Sequence, residues 1–224
     1  MSTRWSLIFD ADGTLVDSEP LLAKEIAITL NKLGLPFEPE DYMTRFRGVA
    51  FPFVLEALES EHGRKVDDDD TRKQLEQEMR SNLEKRMEQE LGPIDGIKEA
   101  LDALADYPRC VASNGPLRKI RLSMRLSGLA PYFGEHLYSA YEIGVWKPDP
   151  GLFLHAAKAL DTAPEHCIVI DDASVGLSSG LTAGMHVIHI NRFSEREHSP
   201  DGAYEIHTMA ELPAVVEKII AAHS

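Results

Sequence analysis

Cysteine is scarce in this sequence, which argues against a small fold that depends on disulfides. Only Cys110 and Cys167 occur among 224 residues, and each leads into an apolar run typical of a buried strand. A chain of this length can bury enough surface to fold without a covalent cross-link. We therefore expect two free, buried thiols and a protein of the reducing cytoplasm.

Positive charge and long apolar segments are also in short supply. The 23 Lys and Arg residues face 37 Asp and Glu residues, and the resulting net charge of −14 excludes a general nucleic-acid binder. The apolar run before Asp10 is too short for a signal peptide, and no later run approaches the length of a membrane span. An anionic ligand would need a local positive site, which a metal ion can help to supply.

The remaining composition is that of a globular protein, with 43% hydrophobic and 27% charged residues. Short apolar runs predict buried strands at 5–9, 109–113, 167–171 and 186–190, and helical patterns lie at 97–104, 117–126, 152–160 and 174–183. Strands that alternate with helices of this length indicate parallel pairing through right-handed crossovers. The predicted fold class is α/β, with a doubly wound, Rossmann-like parallel sheet.

One long segment, from about Pro20 to Leu91, breaks this alternation. It shows successive amphipathic helices and no convincing strand. Turn-forming residues mark its start at 17–20 and its end at 92–96, and two short connections of this kind would make a hinge. We predict an α/β core of residues 1–17 and 93–224, and an inserted all-helical domain of residues 18–92.

Polar residues follow several of the predicted strands at their carboxyl ends. They are Asp10, Asp12, Ser113, Asp171 and Asp172, and a loop stiffened by two prolines adds Lys147. Because ligands of open α/β sheets bind beyond the carboxyl ends of the strands, these groups should converge on one site.

Four carboxylates gathered in one crevice require positive charge among them. Two unit charges about 4 Å apart repel by roughly 4 kcal/mol at an effective dielectric constant of 20. Oxygen ligands in this number suit a hard cation, so we expect Mg²⁺ rather than Zn²⁺.

Each of these motifs has a simpler interpretation when it is taken alone. Residues 10–14 could be an Asp-Gly turn, 113–116 a helix start, Lys147 a solvated lysine and 171–172 a helix cap. Their order along the chain, each at a strand end or on a rigid loop, favours a common site instead.

Taken together, the motifs resemble the four motifs of the haloacid dehalogenase superfamily. The matching segments are Phe9–Ser18, Ala112–Asn114, Trp146–Pro150 and Ile170–Asp172. They look like the phosphatase and phosphomutase branch with a helical cap inserted after the first motif, and the resemblance covers nearly the whole chain. Segments 46–49, 113–116 and 146–150 are most similar to those of 6-phosphogluconate phosphatases.

This resemblance implies a phosphatase that works through an aspartyl-phosphate. Asp10 would attack the phosphorus, and Asp12 would protonate the leaving alcohol and then take a proton from water. Ser113, the backbone N–H of Asn114 and the following helix start would bind phosphate oxygens. Lys147 would neutralise charge on the transferring group and on Asp10.

The resemblance also implies a set of Mg²⁺ ligands. The carboxylates of Asp10 and Asp172 and the backbone carbonyl of Asp12 would bind the ion. Asp171 would bind through a metal-held water or would orient Lys147.

Two residues depart from the family pattern. Ala173 follows the acid pair where the family often has Ser, so one supporting hydrogen bond is in doubt. Leu22 occupies the position of a His that assists sugar-phosphate transfer in the mutases, and this favours hydrolysis. Arg45 and Arg47 would contact the remote end of the substrate, or would simply lie on a solvated helix face.

The expected ligand is a small phosphorylated metabolite, either a sugar phosphate or a sugar-acid phosphate such as 6-phosphogluconate. A helical cap closing over the site would exclude bulk water and contact the leaving group. We expect neither nucleic acid nor membrane as a partner, and a monomer or weak homodimer in the cytoplasm. Two alternatives stay open, which are a β-phosphoglucomutase-like sugar phosphomutase and, from a different class, a phospho-receiver signalling module.

Overall fold

The computed structural model describes residues 4–46, 49, 51–65, 68–194 and 197–223. The chain forms two compact units, which we call the α/β unit (Met1–Val16 with Gly92–Ser224) and the helical unit (Asp17–Leu91). The divisions therefore fall at 16/17 and 91/92, whereas the sequence predicted 17/18 and 92/93. Within the described ranges, no helix has both the length and the hydrophobicity needed to cross a membrane.

A parallel six-stranded sheet forms the centre of the α/β unit and confirms the predicted fold class. Its order is β3-β2-β1-β4-β5-β6. The strands are β1 Ser6–Phe9, β2 Arg109–Ser113, β3 Leu137–Ser139, β4 Cys167–Asp171, β5 His186–Ile190 and β6 Ala203–Ile206. Because β1 lies between β2 and β4, the chain builds outward on one side of β1 and then on the other. The carboxyl ends of β1 and β4 therefore form the crevice in which such sheets bind ligands.

The helical unit contains a partly buried ion pair as well as an apolar core. Its helices are α1 Glu19–Lys32, α2 Pro39–Asp41, α3 Phe51–His62 and α4 Asp69–Glu90, with a π-helical turn at Tyr42–Phe46. Asp68 caps α4, because its side chain accepts a hydrogen bond from the N–H of Thr71. The buried Glu25 of α1 lies 2.5 Å from Arg86 of α4, so its charge is compensated.

Helices cover the sheet of the α/β unit, whose central strands β1 and β4 are buried along their whole length. These helices are α5 Ile97–Ala103, α6 Leu117–Leu126, α7 Ala130–Phe133, α8 Ala140–Ile143, α9 Gly151–Ala159, α10 Ser174–Thr182 and α11 Leu212–His223. Continuous apolar strands of this kind are typical of parallel sheets that are buried on both faces. Cys110 and Cys167 are buried free thiols, as predicted.

The chain leaves and re-enters the α/β unit at a single place. Val16 and Pro93 form an isolated antiparallel bridge, and the N–H of Ile94 donates to the carbonyl of Leu15 at 2.9 Å. The inserted segment therefore begins and ends at two points of the backbone that are hydrogen-bonded to each other.

Candidate active site

Asp10 lies at the carboxyl edge of the sheet, directly after β1. Its backbone N–H donates to the carbonyl of Ile170 in β4 at 2.9 Å, and the residue is only 9% exposed. This bond fixes Asp10 beside the carboxyl end of β4, where Asp171 follows Ile170. The backbone thus places two carboxylates close together in a site with little solvent.

Lys147 bridges these two carboxylates. Its Nζ lies 2.6 Å from Oδ1 of Asp10 and 2.8 Å from Oδ2 of Asp171, and 4.7 Å from the centre of the Phe153 ring. The Lys147 side chain is 2% exposed, so the interpretation of a solvated lysine is wrong. The structure brings Asp10, Lys147 and Asp171 together at the predicted edge of the sheet.

Asn114 has a contact that the sequence did not predict. Its side-chain Oδ1 accepts the N–H of Lys147 at 2.9 Å, and its Nδ2 donates to the carbonyl of Lys147 at 3.2 Å. Both backbone polar groups of the lysine are therefore bound by one amide side chain. This side chain positions Lys147, in addition to the phosphate contact predicted for the backbone N–H of Asn114.

Asp171 is bound on both of its carboxylate oxygens. Besides the contact with Lys147, its Oδ1 accepts the backbone N–H of Ala173 at 2.9 Å. A backbone group therefore supports Asp171 at the position where the family often has Ser. A Cβ on Gly176 in α10 would lie 1.9 Å from Asp171 Oδ2, so only glycine leaves room for this carboxylate.

Asp172 packs against the loop that follows β1. Its Oδ1 accepts a hydrogen bond from the buried Thr14 hydroxyl at 3.1 Å. Gly13 has φ +83°, and a Cβ there would lie 2.2 Å from Asp172 Oδ2. A glycine is required at this turn both for its backbone conformation and for the close approach of the acid.

The carboxylates of Asp10, Asp171 and Asp172 form a cluster in which one oxygen of each lies within 4.8 Å of the others. The cluster gathers three carboxylates beside the ammonium of Lys147, which contacts two of them. Carboxylate oxygens gathered in this way suit a hard divalent cation. The backbone carbonyl of Asp12 stays a predicted ligand.

Burial and charge change the ionisation of the two central groups. Burial raises the pKa of Asp10 to about 7, with Lys147 acting against this rise and Asp171 adding to it. Burial alone would lower the pKa of Lys147, but the carboxylates of Asp10 and Asp171 outweigh it and raise that pKa. The lysine is therefore a permanent positive charge in the site.

Asp12 pairs with a lysine that the sequence analysis missed. Its Oδ2 lies 2.8 Å from Nζ of Lys119, in the first turn of α6, and the two side chains are 28% and 24% exposed. The signal that could have revealed it is a cation in the first turn of a helix, where the helix dipole favours anions.

Ser113 ends β2 and shapes the loop to α6. Its Oγ accepts the N–H of Gly115 at 3.1 Å, and the buried Ser139 hydroxyl donates to the Gly115 carbonyl at 2.7 Å. Ser139 was not predicted, because β3, which it ends, was not predicted either. The phosphate-binding role of Ser113 stays a prediction.

The two candidate substrate-contacting arginines belong to the helical unit. Arg45 forms an exposed ion pair with Glu61 and lies over the ring of Phe46, with its guanidinium carbon 4.7 Å from the ring centre. Arg47 lies outside the described residues.

Comparison with known proteins gives concordant matches along most of the chain. Residues 6–184 match the family model of the haloacid dehalogenase-like hydrolases. Over 189 residues the chain is 36% identical to a 6-phosphogluconate phosphatase of Escherichia coli, an alignment that covers 84% of this chain and 83% of that one.

Solved structures agree with the sequence matches. A haloacid dehalogenase-like protein of unknown function from Agrobacterium tumefaciens superposes with a TM-score of 0.84 at 32% identity, covering 96% of this chain and 99% of that one. A hydrolase of the same family from Deinococcus radiodurans, solved with bound phosphate and sodium, has a TM-score of 0.79 at 29% identity and covers 98% and 97%.

Proposed function

The chain belongs to the haloacid dehalogenase-like hydrolases and is a phosphoric monoester hydrolase, and we propose that it hydrolyses a sugar-acid phosphate or sugar phosphate through an aspartyl-phosphate on Asp10. The observation that carries this proposal is the buried Lys147 ammonium, which lies between Asp10 and Asp171 beside the three-carboxylate cluster. A nucleophilic carboxylate next to a fixed cation suits attack on an anionic phosphoryl group.

The proposed reaction has two displacements. A carboxylate oxygen of Asp10 forms a bond to phosphorus while the bond to the ester oxygen breaks, and Asp12 gives that oxygen a proton. Water then attacks the phosphorus, passes a proton to Asp12, and releases inorganic phosphate and the free Asp10 carboxylate. Lys147 stays charged throughout and compensates the negative charge of the phosphoryl oxygens.

The other predicted residues have supporting roles in this proposal. Ser113 and the backbone N–H of Asn114 bind phosphoryl oxygens, at the loop that precedes α6. Asp10, Asp172 and the Asp12 carbonyl would hold Mg²⁺, and Asp171 orients Lys147. Bound Mg²⁺ would offset the repulsion between the carboxylates and the phosphate dianion.

The substrate is proposed to be 6-phosphogluconate, and residues 18–92 are proposed to be the cap that selects the leaving group, with Arg47 as a contact. The 36% identity with a relative of that name supports this choice. The choice of 6-phosphogluconate is more specific than the assignment to the phosphoric monoester hydrolases, so it needs its own test.

A comparison of matched phosphate esters tests the substrate. We expect kcat/KM for 6-phosphogluconate to exceed that for open-chain sorbitol 6-phosphate at least about tenfold, because the two differ only at C1, where a carboxylate replaces a hydroxymethyl group and a charged contact is worth a tenfold factor or more. Phosphate release is measured for both esters, with phosphoglycolate and β-glucose 1-phosphate in the same panel.

Other results of this panel would point elsewhere. Equal kcat/KM values for the two hexose derivatives would contradict 6-phosphogluconate as the substrate. Isomerisation of β-glucose 1-phosphate without phosphate release would indicate the phosphomutase. A phosphorylated protein that persists for minutes without turnover would indicate the receiver module.

The affinity for Mg²⁺ is expected to fall as the pH is lowered through 7. With the pKa of Asp10 at about 7, a proton occupies this ligand at lower pH and must leave before the ion binds. The dissociation constant should therefore increase about tenfold for each pH unit below 7 and stay nearly constant above it.

Calorimetric titration of the substrate-free protein with Mg²⁺, from about pH 5.5 to 8, measures this dependence. Asp10→Asn is the matched control, because its amide takes up no proton in this range and the dependence should be lost. A wild-type dissociation constant that does not change over the range would contradict the prediction.

A further inference from the structure

We propose that Lys119 is a positioning residue, which holds Oδ2 of Asp12 beside the phosphate-binding loop, so that a proton carried on the other oxygen, Oδ1, is passed to the leaving oxygen. The inference rests on the proposed function and adds to it a residue outside the four motifs. The direct observation is the 2.8 Å contact between Lys119 Nζ and Asp12 Oδ2, which joins residues 107 positions apart.

The contact lies at the loop where the phosphoryl group is proposed to bind. A Cβ placed on Gly115 would be 3.9 Å from both Asp12 Oδ2 and Lys119 Cδ, and 3.4 Å from Ser113 Oγ. The ion pair is therefore next to Ser113, on the side of the loop that Gly115 leaves open. Both partners keep about a quarter of their side-chain surface exposed, so a ligand can reach them.

The position of Lys119 is unfavourable unless something compensates for it. The first turn of α6 contains no acidic residue, and Arg118 and Lys119 place cations at the end where the helix dipole is positive. Asp12 supplies the missing negative charge from the loop after β1. The pairing thus stabilises the start of α6 and orients the carboxylate at the same time.

Lys119 and Lys147 contact different acids of the site. Lys147 is shared by Asp10 and Asp171, whereas Lys119 binds Asp12. Proton transfer to the ester oxygen needs Asp12 to stay within hydrogen-bond reach of it, and a carboxylate released from Lys119 could rotate away. Only Asp12 gains or loses a proton in this step, and Lys119 keeps its charge.

Esters with different leaving groups separate positioning of Asp12 from general damage. Release of an alcohol from 6-phosphogluconate needs a proton donor, whereas p-nitrophenolate leaves p-nitrophenyl phosphate without one. In single-turnover measurements with enzyme in excess, Lys119→Met should slow leaving-group release from 6-phosphogluconate about 100-fold. With p-nitrophenyl phosphate the change should stay within about threefold, which also shows that the variant is folded.

Two variants serve as controls. Lys119→Arg keeps the charge and should restore most of the rate with 6-phosphogluconate. Arg121→Met removes a cation from the same helix, where Arg121 forms a 3.5 Å surface pair with Glu135, and it should leave both rates unchanged. Lys119→Met should add little to the defect of Asp12→Ala, because both act through one carboxylate.

The outcomes are distinguishable. Equal slowing with both esters would overturn the positioning role of Lys119. So would an unchanged maximal rate reached only at a higher enzyme concentration. If Asp12→Ala loses the alkyl ester reaction but Lys119→Met does not, only this inference fails. If Asp12→Ala spares that reaction, the proposed role of Asp12 fails and takes the inference with it.

Discussion

Asp10→Asn is expected to reduce phosphate release at least about a thousandfold and to abolish the phosphorylated intermediate. The amide is close in shape to the carboxylate but lacks the charge and nucleophilicity needed to attack phosphorus. The backbone N–H of residue 10 donates a hydrogen bond to the carbonyl of Ile170. Because the side chain takes no part in this bond, the position of residue 10 should not change. The loss should therefore appear in kcat.

Two measurements check this result. Steady-state phosphate release gives the rate, and intact-protein mass after an acid quench reports one added phosphoryl group in the wild type and none in the variant. Asp161→Asn is the control, because Asp161 is exposed at the end of α9 and its φ of +53° also suits asparagine. Turnover by Asp10→Asn at the wild-type rate would end the covalent mechanism.

Lys147→Met is expected to lower both activity and stability. Removing the ammonium leaves the Asp10 and Asp171 carboxylates buried without their partner, which should cost about 3–5 kcal/mol in the free energy of unfolding. Loss of the charge that is proposed to face the phosphoryl oxygens should reduce kcat at least about 100-fold. Urea unfolding without Mg²⁺ and phosphate release measure the two effects.

The stability defect should depend on pH in a defined direction. Burial already raises the pKa of Asp10 above its usual value, and removing Lys147 raises it further. The folded variant then keeps this proton above pH 7, where the folded wild type releases it, so its stability continues to fall as the pH rises beyond 7. The difference from wild type should be nearly constant below pH 7 and should increase from pH 7 to 8.

A second substitution separates stability from catalysis. Asp171→Asn in the Lys147→Met background removes one uncompensated charge, and it should recover part of the stability but none of the activity. Lys158→Met replaces an exposed lysine of α9, and it should change stability by less than about 0.5 kcal/mol. Wild-type stability of Lys147→Met at pH 8 would contradict the expected role of the buried ammonium.

The central strands could be predicted because they are continuous apolar runs, buried on both faces. The strands β3 and β6 could not. β3 has only three residues, too few to show a period, and β6 contains the polar pair Tyr204 and Glu205. Both lie at the edges of the sheet, where one side of the strand is solvated and the apolar signal is weak.

The site residues also divide into those that the sequence could predict and those that it could not. Asp171 ends β4, and Asp10 and Asp172 follow β1 and β4; because the carboxyl ends of these strands share one edge, the convergence of the three acids is a consequence of topology. Asn114 contacts Lys147, and this contact depends on the geometry of two loops. Lys119 contacts Asp12, and this contact depends on the rotation of α6 about its axis. The periodicity of the sequence determines neither the loop geometry nor the helix rotation accurately enough to predict such contacts.

The bridge between Val16 and Pro93, together with the bond from Ile94 to Leu15, has an evolutionary consequence. Since the two points of attachment are bonded to each other, their separation is independent of how many residues are spliced between them. A lineage could lengthen, shorten or exchange that segment while β1, which lies next to it, kept its partners. Because residues 18–92 are proposed to select the leaving group, exchanging them would be a way to change specificity without altering the carboxyl edge of the sheet.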